Sequence, residues 1–178
     1  MYPLHAFVEH LGDQSASVYA HLGRAMVGRS QVDKIDKCLV FESKEAKHLD
    51  WLSDQLSKIL PHCVVIAKDS LLCQVSNPRS VIFCWDQKEV KNEALFNSIA
   101  SGESIRLGRQ SEPAVSMKID FVPIFLTLDA TTLASNAHRM LKVQVTKVPD
   151  ETTWTKKAQI EFVELCLGAY DTVLLNRP

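Results

Sequence analysis

Hydrophobic positions along the chain fall into short continuous runs separated by stretches with helical spacing. Apolar runs occupy residues 37–41, 63–67, 80–85 and 122–129, and a further strand is predicted around Leu141 in the segment 139–143. Short runs of this kind, bounded by charged or turn-forming residues, are typical of strands that are buried on both faces. The pattern predicts an α/β fold with a mostly parallel sheet flanked by helices.

Helical spacing occurs between these runs. The segment 49–60 is amphipathic and ends at Pro61, and further helices are predicted at 88–100 and at about 153–169. In the last of these, a buried stripe is expected from Ile160, Val163, Leu167 and Val173. Two short helices are predicted within 2–29, and an inserted β-hairpin within 104–119. We therefore divide the chain into a helical segment at 1–29 and an α/β domain at 30–178.

Composition narrows the class of protein. The 178 residues carry a net charge of −1, so overall electrostatics favours neither nucleic acid nor a membrane surface. No apolar stretch approaches membrane-spanning length, and an intracellular location is expected. Five cysteines without metal-ligand spacing predict free thiols in a reducing compartment, and no metal site is expected.

The loop after the first predicted strand lies where a nucleotide-binding enzyme has its phosphate loop. Such a loop needs glycines for close backbone approach, a lysine for the phosphates and a hydroxyl for Mg²⁺. Residues 42–49 contain no glycine, Leu49 stands where the hydroxyl is needed, and Glu42 and Glu45 add negative charge. The segment is predicted to be a solvated turn rather than a phosphate cradle.

Four stretches in order nevertheless carry a family resemblance. Residues 81–87 resemble a Walker B strand, 96–106 the B′ segment, 122–129 the strand that carries sensor 1, and 139–143 the strand after it. Over 79–150 the chain resembles the superfamily 3 helicase domain of parvovirus large nonstructural replication proteins, a branch of the AAA+-type ATPases. The resemblance implies an AAA+-like sheet, a nuclear location, and an origin as a viral or domesticated endogenous viral sequence.

The departures from that family concern its catalytic residues. Asp86 matches the magnesium-side carboxylate of Walker B, but Gln87 replaces the catalytic glutamate and cannot accept a proton from water. Asp129 replaces the sensor asparagine, and the Walker A signature is absent. By this comparison the chain is a non-catalytic helicase-like protein that needs no cofactor and acts through association with itself or with another helicase-like protein.

Several alternatives remain open at this stage. One is a divergent ATPase using ATP and Mg²⁺, with Lys44 or Lys47 in place of the missing lysine. Another is a nucleic-acid-binding module that uses Arg106 and Arg109 of the hairpin, for which DNA affinity is expected to be weak or absent.

Three further residues have two interpretations each. Asp86 and Asp129 also suit capping roles at strand ends, which we favour for Asp129. In the resemblance Arg139 matches an arginine finger that reaches a neighbouring subunit's nucleotide. As an ordinary strand-edge residue, it would pair with Glu151 or Asp150 instead.

Overall fold

The computed structural model describes residues 1–28, 37–66, 78–85, 93–102, 104–107, 115–117, 119–129, 138–149 and 154–176. Its α-helices are α1 (Pro3–Glu9), α2 (Ser15–Val27), α3 (Ala46–Ile59), α4 (Glu93–Ser101) and α5 (Lys156–Leu175). A short 3-10 turn, Gly12–Gln14, separates α1 from α2. Its strands are β1 (Cys38–Glu42), β2 (Cys63–Ile66), β3 (Ser80–Trp85), β4 (Ile105–Leu107), β5 (Val115–Met117), β6 (Val122–Thr127) and β7 (Met140–Gln144).

The main sheet has five parallel strands in the order β2-β3-β6-β1-β7. The predicted α/β fold with a parallel sheet and flanking helices is therefore confirmed. The predicted inserted hairpin is also present, since β4 and β5 form a separate antiparallel pair between α4 and β6. The strand predicted at 80–85 has those bounds, whereas the one predicted at 122–129 ends at Thr127.

Alternating residues of the sheet face two hydrophobic cores. In β1, Leu39 and Phe41 join the core shared with α1, α2, α3 and α5, whereas Cys38 and Val40 join the opposite core, to which α4 contributes Phe96. Both faces of β1 are thus covered, which explains why its sequence is a continuous apolar run. The segment predicted as 1–29 and the α/β domain therefore share one core in the described structure.

The buried face predicted for α5 is correct only in part, since Val163 and Leu167 pack against the core but Ile160 and Val173 do not. The structure buries Phe162, Cys166 and Tyr170, whereas Ile160 is 49% and Val173 43% exposed. The reason is that α5 packs closely on α2 at a glycine. A Cβ atom built on Gly23 would lie 2.1 Å from the carbonyl oxygen of Cys166. This contact determines which side of α5 faces the core. That side cannot be predicted from the helical period of α5 alone.

The described cysteines Cys38, Cys63, Cys84 and Cys166 form no disulfide with one another. Burial raises the pKa of Cys166 to about 12, and it also raises the pKa values of Cys63 and Cys84. A raised pKa keeps a thiol protonated and unreactive. Within the described ranges, no helix is both long and apolar enough to cross a membrane, and no three His, Cys, Asp or Glu side chains are grouped to hold a metal.

Candidate functional site

The carboxyl ends of the parallel strands form one edge of the sheet, and β1 ends there between β6 and β7. The helix after β1, α3, packs on one face, whereas α4, which follows β3, packs on the other. In open α/β sheets, ligands bind outside the carboxyl ends of strands where the connections diverge in this way. The loop from Glu42 to His48 is therefore the candidate site by position.

Ser43 is the centre of a buried hydrogen-bond cluster in this loop. Its backbone N–H donates to the Thr127 carbonyl (3.1 Å), and its hydroxyl donates to the Val145 carbonyl (2.9 Å). The Glu45 N–H donates to Ser43 Oγ (3.2 Å), and His48 Nδ1 lies 3.0 Å from the same oxygen. Because the hydroxyl proton is directed at Val145, His48 must donate from Nδ1. Ser43 is 1% exposed, and its hydrogen-bonding capacity is used inside the protein.

Three backbone donors of this loop are already used inside the protein. The N–H groups of Ser43, Glu45 and His48 donate to Thr127 O, Ser43 Oγ and Glu45 O respectively. An anion nest requires successive N–H groups that point at the ligand. Residues 44–47 are exposed as predicted, but Ala46 and Lys47 already belong to α3, and Ser43 and His48 are buried.

The charged groups of the loop also have protein partners. The Glu42 carboxylate, 11% exposed, lies 2.6 Å from Lys142 Nζ and accepts a hydrogen bond from Gln144 Nε2. The Lys47 ammonium lies 2.6 Å from Glu45 Oε2, and its hydrogen bond lowers the pKa of the Glu45 carboxyl. The candidate phosphate lysine Lys47 is therefore engaged by a carboxylate.

The other predicted site residues lie in two places. Asp129 follows β6 at the same sheet edge as the loop, and its N–H donates to Thr127 Oγ1 (3.2 Å) while that hydroxyl donates to the Asp129 carbonyl (3.1 Å). Arg139 immediately precedes β7, at the opposite edge of the sheet, because Met140 pairs with the first residue of β1. Lys44 is exposed on the loop. The structure thus brings Lys44, Lys47 and Asp129 to one edge and leaves Arg139 at the other.

Some predicted residues fall outside the described structure. Asp86, Gln87 and Arg109 lie outside the described residues, as do both carboxylates considered as partners of Arg139, Asp150 and Glu151. Arg106 lies within β4, whose backbone alone is described.

No motif in the sequence marks the residues that close the loop, namely Ser43, His48, Lys142 and Gln144. Ser43 and His48 share a short polar stretch, but nothing in its pattern distinguishes a buried hydroxyl from an exposed one. Lys142 and Gln144 are two residues apart on β7, and so they share a face of that strand. That spacing is the one signal available in the sequence, but it gives no indication of Glu42 as the partner.

Replacing Ser43 by alanine is expected to lower the free energy of unfolding by about 2 kcal/mol, because buried groups then lose their partner. Urea unfolding followed by circular dichroism measures this loss. Ser57→Ala is the control, since that exposed hydroxyl bonds only to carbonyls of its own helix, and it should change stability by less than about 0.5 kcal/mol. Equal losses in the two variants would show that the cluster does not stabilise the loop.

No protein-family model matches the sequence, and no curated protein is significantly similar to it. Solved structures do share the fold. Two apo structures of the NrS-1 C-terminal region align over 97% and 95% of this chain, with TM-scores of 0.53 and 0.54 and 16% sequence identity in both. The chain spans less than half of those proteins, 46% and 45% of their length. At this identity, the similarity establishes the α/β fold that the chain shares with the NrS-1 C-terminal region.

Proposed function

We propose that this chain is a non-catalytic helicase-like protein, related to viral replication proteins, that acts by associating with itself or with another helicase-like protein. Its fold is similar to that of the NrS-1 C-terminal region. The resemblance to superfamily 3 helicases over residues 79–150 supports the same assignment, and the substitution at Gln87 supports the loss of catalysis.

The closed loop at the end of β1 is the observation that carries this proposal. It occupies the position where a nucleotide-binding sheet holds its phosphates, yet three of its N–H groups, those of Ser43, Glu45 and His48, donate within the protein, and the Glu42 carboxylate lies there. A triphosphate would have to displace these hydrogen bonds and to compete with the ion pairs that Glu42 and Glu45 form with Lys142 and Lys47. Both requirements oppose nucleotide binding at this loop.

The full chain is therefore expected not to bind ATP or ADP at micromolar concentrations in the presence of Mg²⁺. Isothermal calorimetry measures this directly, and a thermal shift assay provides an independent check, because a ligand at a hundred times its Kd stabilises a protein by about 2.7 kcal/mol.

Two variants separate this proposal from a divergent ATPase. Glu45→Gln removes the carboxylate that holds Lys47, and Lys47→Ala removes the ammonium itself. If Lys47 replaces the missing phosphate lysine, the first variant should strengthen nucleotide binding and the second should abolish it. A melting shift with this pair of responses would overturn the non-catalytic assignment.

The position of Arg139 makes a second test possible. Arg139 lies at the sheet edge opposite the loop and is therefore remote from the candidate site of its own chain. Any nucleotide that it contacts would belong to another subunit. We expect the chain to change the ATPase rate of an active parvovirus-type helicase on mixing, and Arg139→Ala to reduce that change.

Complex mass by light scattering accompanies the rate measurement. The control is Lys147→Ala, which removes an exposed positive charge that follows β7. If neither association nor a rate change appears, the chain does not join such an assembly. Equal effects of the two variants would leave Arg139 without a specific role.

A further inference from the structure

An open groove runs along α5 where this helix meets α1 and α2. Its volume is about 690 Å³, and one wall is formed by His5, Ala16 and Tyr19. The opposite wall is formed by Leu165, Gly168 and Ala169 of α5, and a Cβ atom built on Gly168 would meet nothing within 4 Å. Leu165 is 48% exposed there. The groove therefore has an apolar lining with room for inserted side chains.

The rim of this groove is acidic. Among the described residues, its lining includes Glu161 and Glu164 of α5 and no lysine or arginine. Glu9, 54% exposed, lies beside it and accepts a hydrogen bond from the Tyr19 hydroxyl (2.5 Å). Lys157 lies 3.8 Å from Glu161, but it is 85% exposed, and such a pair is largely screened by solvent. The groove thus combines apolar walls with a negatively charged rim.

We propose that this groove binds a cationic amphipathic helix of a partner protein, with apolar side chains of that helix between the walls and its lysines or arginines facing Glu161 and Glu164. An apolar helix face laid in a groove is a common mode of recognition, and complementary charge adds specificity to it. The inference rests on the association proposed above, for which it names a surface and the chemistry of the partner.

Other occupants fit the charges less well. A nucleic acid or an anionic membrane would place phosphates against the same carboxylates. A second copy of the chain in a symmetric dimer would place the same acidic rim of each copy against the other. A basic helix is the partner that compensates the charge while covering Leu165.

The test uses the full chain and a fluorescein-labelled helical peptide of leucine and lysine, with its leucines at i, i+3, i+4 and i+7. Anisotropy titrations should show saturable binding that weakens as salt rises, and no binding of the same peptide with glutamate for lysine. Glu161→Lys combined with Glu164→Lys should weaken binding by at least about tenfold, since rim attraction becomes repulsion. Gly168→Leu should weaken it without any change in charge, by filling the groove.

The control is Asp50→Lys combined with Asp120→Lys, an equal change of net charge at exposed residues outside the groove, and it should retain wild-type affinity. Absence of binding to the wild-type chain, or an equal loss in the control, would overturn the proposal. So would a dimer in sedimentation velocity that Gly168→Leu dissociates, because a second copy would then occupy the groove. None of these outcomes affects the nucleotide measurement, and so each proposal can fail separately.

Discussion

Gly23→Ala is expected to lower the free energy of unfolding by about 3 kcal/mol or more, although alanine is the better helix former. The added methyl group would lie 2.1 Å from the Cys166 carbonyl oxygen and 2.8 Å from the Tyr170 Cβ. Backbone cannot yield as the end of a flexible side chain can, so α2 and α5 would have to separate. Urea unfolding measures the loss, and near-ultraviolet circular dichroism reports whether the aromatic packing around Tyr170 changes.

Gly168→Ala is the matched control, because Gly168 lies within α5 on the open groove. Its stability should be unchanged or higher by up to about 1 kcal/mol, as expected for alanine in place of a helical glycine. A Gly23→Ala protein within about 0.5 kcal/mol of wild type would show that the two helices are not in close contact at this point.

Phe125→Ala is expected to have a similarly large effect, about 3 to 5 kcal/mol. Phe125 is fully buried on β6, with its ring centroid 5.1 Å from that of Phe83 and 4.9 Å from that of Phe96. Its removal would leave a cavity where α4 meets the sheet. Thermal and urea unfolding both measure the change.

Two comparison variants make this result interpretable. Phe125→Leu retains most of the volume and should cost much less, whereas Leu175→Ala, at an 83% exposed position, should be within about 0.5 kcal/mol of wild type. An alanine variant no less stable than the leucine variant would mean that the aromatic cluster contributes little to the fold.

The strands of the main sheet were predictable because each is a short apolar run with polar boundaries. The β3 run at 80–85 is the clearest case, and its bounds agree with the structure. Helix ends were harder to predict. The α3 helix begins at Ala46, whereas the apolar spacing predicted a start at Leu49. The contact of His48 with Ser43 buries this polar residue and extends the helix toward its N-terminus. The inward side of α5 was not predictable, since it depends on a contact with Gly23 that lies far away in sequence.

The candidate site, like the fold, was predictable from the sequence only in part. The location of the loop and its lack of glycine follow from the sequence. The reason that the loop is closed does not, because Ser43 bonds to Thr127 and Val145, which belong to segments far along the chain. Charge partners across strands, such as Glu42 with Lys142, depend on register, and register becomes known only with the fold.

The position of β1 has a consequence for the order in which the protein folds. β1 comes first among the strands in sequence, but it pairs with β6 and β7, so both of its hydrogen-bonding edges wait for residues 122–127 and 140–144. During synthesis, β1 therefore precedes its partners by 85 residues for β6 (Leu39 with Ile124) and 102 residues for β7 (Cys38 with Met140), and its native pairing is a late event. Contacts so distant in sequence predict slow folding and a period in which the edges of β1 are open to pairing with other chains.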